Sequence, residues 1–223
     1  MNTKIKSAVL AVAVTGLFAA QSTMADTLTF NGFSDGAVNV SITSPISESA
    51  SAGGFAMTNA TAGGSFVAWC ADIFHNMATS QNYTLTSGAS FYAADPGKAT
   101  ALSELASNSL SSITGNATNS AAFQLAVWEI VNETSGGGYS LTAGNFKATS
   151  DAAVLTAANN MLGNLSGPIT MTANVWGQVT PGSTQDLVVF APVPEPETYA
   201  MMLAGLGMMG FVARRRKQVE DLA

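Results

Sequence analysis

The sequence predicts an α+β fold, and three observations carry that prediction. Strand-like runs fill residues 26–71, three helical patterns lie between residues 95 and 163, and two more strand-like runs follow residue 169. The first strands fall at residues 27–30, 38–43, 55–58 and 64–71, separated by Gly, Pro and Asn. In the last of these, Phe66, Ala68 and Cys70 alternate onto one face, and Val67 and Trp69 onto the other. Asp95 and Pro96 open a helix to about residue 108 that places Leu102, Leu105 and Ala106 together. Asn119 or Ser120 caps a second helix over residues 121–134, and the glycines at 136–138 end it. Ser150 caps a third over residues 151–162, closed by Gly163. Residues 169–176 and 185–191 read as a closing hairpin around Pro181 and Gly182, and the chain shows no internal repeat.

The two ends carry different signals. Lys4 and Lys6 precede an apolar stretch at residues 7–20 that is too short to span a bilayer, and Thr23-Met24-Ala25 supplies small residues for signal peptidase. Residues 1–25 therefore read as a cleaved signal peptide, and residues 26–192 as one exported domain. At the other end, Pro194-Glu195-Pro196 stays extended, because each proline fixes its own φ and disfavours helix before it. An apolar run at residues 199–213 follows, then Arg214, Arg215, Arg216 and Lys217. As a helix, that run would reach ~22 Å against a hydrocarbon core of ~30 Å, so it predicts a short, weakly held transmembrane helix. The adjacent cations resist translocation, which puts residues 214–217 and the 218–223 tail in the cytoplasm and the body outside.

The order of these features over residues 193–217 closely resembles the PEP-CTERM sorting signal of Gram-negative bacteria. The resemblance implies cleavage by an exosortase at the Pro-Glu-Pro element, transient anchoring at the inner membrane, and release to the cell surface or extracellular matrix. A permanent anchor is the plainer alternative.

Charge excludes some partners. The formal net charge is −6, but six of the eight cations lie in the terminal segments, so the body retains Lys98 and Lys147 against ten carboxylates. Its charge of −8 disfavours nucleic acid and anionic lipid, which select for clustered Lys and Arg. With a single cysteine, Cys70, no internal disulfide can form. Three readings of that cysteine stay open: an inert buried thiol, a cross-chain disulfide, or a sulfur consumed by other chemistry.

Helical periodicity supplies a partner for Cys70. At 100° per residue, Glu129, Asn132 and Glu133 form a wet stripe, while Gln124, Val127, Trp128 and Val131 share the apolar one. Gln124 therefore faces the core, where each unpaired amide group costs ~1 to 3 kcal/mol. An inward thiol could attack the Gln124 carboxamide, expel ammonia and leave a thioester, since preorganised groups reach effective molarities of roughly 10⁵ M or more. Trp128, one turn on, could shield the bond from water. The segment Trp69-Cys70-Ala71-Asp72 together with Phe123-Gln124-Leu125-Ala126-Val127-Trp128 resembles the cysteine and glutamine motifs of bacterial thioester domains from Gram-positive surface adhesins. Cys70, Gln124, Ala126 and Trp128 match position by position, and Phe123 departs where a threonine often stands. The resemblance implies a non-enzymatic role in adhesion or biofilm, with Cys70 and Gln124 as a covalent clamp for an amine or hydroxyl, a polysaccharide hydroxyl included. The alternative is a passive structural or carbohydrate-binding matrix protein in which Gln124 pairs with backbone and Cys70 is ordinary core.

Other residues offer less. A Cys70–His75 catalytic pair lacks any thiol-protease signature, and Asp72 reads as a cap for the turn after the strand. No cluster of His, Cys and carboxylates suggests a metal or cofactor, and residues 31–36 lack calcium-loop spacing. Trp69, Trp128 and Trp176 sit among core-like neighbours rather than in a sugar platform.

Overall fold

The computed structural model of the chain describes residues 25–193 and 201–209. The expected signal peptide, Pro194, Glu195, Pro196, Arg214, Arg215, Arg216 and Lys217 lie outside the described residues. The body is mixed α+β, with strands first, helices in the middle and strands last.

Six antiparallel strands close a barrel in the order β1 (Asp26–Phe33), β4 (Phe55–Asn59), β5 (Ser65–Cys70), β9 (Leu187–Pro192), β8 (Met171–Gln178) and β6 (Ser80–Ser87). A second sheet orders β3 (Glu48–Ala52), β2 (Val38–Ser44) and β7 (Lys147–Thr149). In β2, Val40 and Ile42 are buried while Asn39 and Ser41 face solvent, which is the alternation of a one-sided sheet. The expected hairpin is present as β8 and β9.

The sequence reading lacked β3, β6 and β7 and the short helix α1 (Gly88–Phe91). Strand β6, Ser-Gln-Asn-Tyr-Thr-Leu-Thr-Ser, buries Tyr83 but leaves Leu85 46% exposed, so it carries almost no apolar pattern. It is held by ladders to β1 and β8 on both sides, which supply the pairing its composition does not advertise.

Three longer helices pack on this frame: α2 (Pro96–Ser109), α3 (Ala117–Asn132) and α4 (Ala152–Gly163). Their ends differ from the expected caps. The cap of α3 is Asn116, whose side chain accepts from the Asn119 N–H at 3.0 Å, because Gly115 at φ +68 breaks the chain just before it. Asp95 does stand at the N-cap of α2, but its carboxylate binds Ser135 instead of its own helix. Asp151 is the N-cap of α4, while Ser150 donates to the Asn39 carbonyl.

Helix α3 is the central element, touching α2, α4, β2, β3 and β5. Every residue from Ser120 to Ile130 is buried. The expected wet stripe is therefore corrected at Glu129, which is 0% exposed: a helix covered on all sides has no solvent face there. No helix among the described residues is long and apolar enough to cross a membrane; of the expected 199–213 span, residues 201–209 are helical and the rest lies outside the described residues.

Candidate functional site

Strand β5 ends at Cys70 with one edge unsupported. In the β4 ladder Phe55 stands opposite Ala68, and β4 begins there, so no β4 residue pairs with Cys70. The chain before Phe55 turns toward α3, where the Gly54 N–H donates to Ser120 Oγ at 2.9 Å. Glycine is required at that crossing, because a Cβ on Gly54 would lie 2.9 Å from a Val67 methyl and 3.2 Å from the Trp69 ring. On the opposite edge, the Ala71 N–H donates to the Asp186 carbonyl, which aims the N–H and C=O of Cys70 at the unsupported side.

Gln124 fills the vacancy. The Cys70 N–H donates to Gln124 Oε1 at 2.9 Å, and Gln124 Nε2 donates to the Cys70 carbonyl at 2.8 Å. The carboxamide thus pairs as a neighbouring strand would, and both residues are 1% exposed. The structure brings together the two side chains that the sequence singled out, 54 positions apart.

The sulfur is held and silent in this arrangement. Cys70 Sγ donates to the Asp72 carbonyl at 2.9 Å. Burial pushes the thiol up to about 12, partly offset by a weak polar contact from the Trp128 indole and by the Asp72 backbone. Trp128 lies one turn after Gln124, is 4% exposed, and its indole N–H makes no full hydrogen bond. It is thus near the sulfur.

The remaining candidates fall outside this pair. Asp72 acts as the expected cap, with Oδ1 accepting from the Phe74 N–H at 2.8 Å. Its Oδ2 meets His75 Nδ1 at 2.5 Å, so His75 is engaged by a carboxylate, and among the described residues no hydrogen bond joins it to Cys70. No group of three His, Cys, Asp or Glu side chains among the described residues could hold a metal ion.

Glu129, on the stripe that the helical wheel gives to solvent, is instead a buried carboxyl. Its Oε1 accepts from the Ser140 N–H at 2.6 Å, but its buried Oε2 has no partner among the described residues. Burial pushes its carboxyl up to about 7, the Ser140 bond opposes that, and Glu133 adds to it. The available signal was the nearly unbroken apolar run around it, Leu125 to Val131, which marks a helix buried all round.

Residues 192–217 match the PEP-CTERM protein-sorting motif, which implies an exosortase as processing partner. The body is similar in structure to the N-terminal thioester domain of a surface protein from Clostridium perfringens, at 13% identity and TM-score 0.47, covering 74% of this chain and 99% of that one. It is also similar to a cysteine-to-alanine mutant of an N-terminal thioester domain from the same organism, at 15% identity and TM-score 0.45, covering 62% of this chain and 89% of that one. No curated protein matches the chain.

Proposed function

We propose that this chain is the precursor of an exported surface or matrix protein whose body carries an internal Cys70–Gln124 thioester. Residues 1–25 direct export and are removed by signal peptidase. Residues 199–213 then hold the precursor at the inner membrane of a Gram-negative cell, with Arg214 to Lys217 on the cytoplasmic side, until exosortase cuts at Pro194-Glu195-Pro196. The matched sorting motif supports this half of the reading.

One observation carries the chemistry: the pair of hydrogen bonds, 2.8 and 2.9 Å, that clamps the Gln124 carboxamide onto the backbone of the residue bearing the thiol. Attack of Cys70 Sγ on Gln124 Cδ forms the S–C bond and puts negative charge on Oε1, where the Cys70 N–H already donates. Collapse breaks the Cδ–N bond, and the thiol proton leaves with the nitrogen as ammonia. An amine or hydroxyl from another surface later takes the acyl group, forms an amide or ester, and returns the thiol to Cys70. The protein is consumed in that step, so the reading is of a covalent adhesin and not an enzyme. Trp128 keeps water from the bond.

The test is the intact mass of the secreted chain. A mass short by one ammonia, restored on exposure to a small amine with the amine added, is expected. A full mass together with a titratable thiol at Cys70 would sink the reading. A passive matrix component is the second reading, favoured by the pairing of Gln124 Oε1 and Nε2 with the Cys70 backbone in the amide form and by the thiol resting on the Asp72 carbonyl.

A further inference from the structure

The barrel has a thin seam. Strands β5 and β9 share only two pairs, Trp69 with Val188 and Cys70 with Leu187. Both strands run on, β5 back to Ser65 and β9 forward to Pro192, yet the register that would set Val67 opposite Phe190 is not continued. On their other edges, β5 is laddered to β4 from Ser65 to Ala68 and β9 to β8 along its whole length.

The strands have parted around a cavity of about 520 Å³. Side chains from both faces of the sheet line it, together with Asn59, Gly63 and Gly64 of the β4–β5 turn, so it runs along the seam to the barrel rim. Phe66 and Trp176 come from the face that carries Cys70, their rings stacked at 6.3 Å. Trp69 and Phe190 come from the face covered by α3, where both meet Phe123. The Trp69 indole N–H is buried there without a partner among the described residues. By the alternation of the ladder, the N–H and C=O of Val67 and of Phe190 point into the gap.

We infer that this slot is a docking site for an extended, acid-free peptide segment of a partner protein, which enters as an added strand between β5 and β9. The backbone edges select a strand, since they offer donors and acceptors in alternation to a chain that can pair on both sides. Charge selects against acidic partners: among the described residues Asp35 is the one charged residue lining the slot, and the exported body carries −8. The chain's own continuation after Val193 is a poor occupant, because Pro194 and Pro196 lack the N–H groups the edges require. A seated strand would reach its inner end beside Trp69 and Cys70.

The test uses the full chain in detergent, labelled with nitrogen-15, and the synthetic peptide Lys-Val-Thr-Val-Thr-Val. Saturable binding is expected, with amide exchange at Val67 and Phe190 slowed by roughly tenfold or more. The same peptide N-methylated at alternate residues should bind about tenfold more weakly, as should a version with glutamate in place of lysine. Thr114→Trp, at an exposed position on the slot's rim, should weaken binding while leaving the fold's spectrum intact. Absence of saturable binding, binding indifferent to N-methylation, or binding of a cello-oligosaccharide in preference to the peptide would each overturn the inference. Cys70→Ala should bind the peptide like the parent chain, so failure of the thioester reading leaves this result untouched.

Discussion

Two buried polar side chains stand five residues apart on α3 and meet opposite fates. Gln124 finds both a donor and an acceptor on the Cys70 backbone, so both polar atoms of its neutral amide are engaged without any charge entering the core. Glu129 finds one N–H, from Ser140, and its second oxygen is bare. A strand edge presents N–H and C=O together, which a carboxamide matches and a carboxylate cannot. The same helix thus holds one polar group at rest and one under electrostatic load.

Breaking the first half of that contrast should cost most. Gln124→Ala strips the partners from the Cys70 N–H and C=O and leaves a cavity, so a loss of about 3 to 4 kcal/mol in urea unfolding is expected. Amine labelling should vanish with it. A variant that unfolds like the parent would show that the carboxamide is not supporting the strand end.

The second half is broken by Glu129→Gln. The folded carboxyl lies near 7 against an ordinary 4.5, so the folded state keeps its proton where the unfolded chain has released it. The stability this protects is fully present below about pH 4.5 and is lost as pH rises through 7, an effect of roughly 3 kcal/mol by pH 8. Glu129→Gln should be the more stable protein at pH 8 by a similar amount and should flatten the slope between these limits. A parent chain whose unfolding midpoint does not fall over that range would refute the assignment.

Smaller effects sharpen the contrast around the sulfur. Trp128→Phe should lose about 1 to 2 kcal/mol of packing, and any thioester it forms should hydrolyse several-fold faster, followed as loss of amine reactivity with time. Cys70→Ala should abolish labelling at a cost of only ~1 kcal/mol, because the Gln124 clamp binds backbone and survives the substitution.

The contrast also explains what the sequence made legible. Gln124 stands out because an amide amid Phe, Leu, Ala and Val needs partners, and the alternation of residues 64–71 turns Cys70 inward; the two were readable as a pair. Glu129 was misread because a helical wheel assigns a carboxylate to solvent, and only the packing of α2, α4 and both sheets around α3 removes that solvent. The barrel was not legible either, since its closure depends on β6, a hydroxyl-rich segment held by neighbours far along the chain. Nor could spacing reveal that β4 begins two residues too late to cover Cys70, the gap that gives Gln124 its place.

The body's last strand, β9, ends at Pro192, and the Val193 N–H is tied to the Thr170 carbonyl. The sorting motif starts at that same proline. A cut downstream of Val193 would therefore leave every rung of the β8–β9 ladder on the body's side of the break.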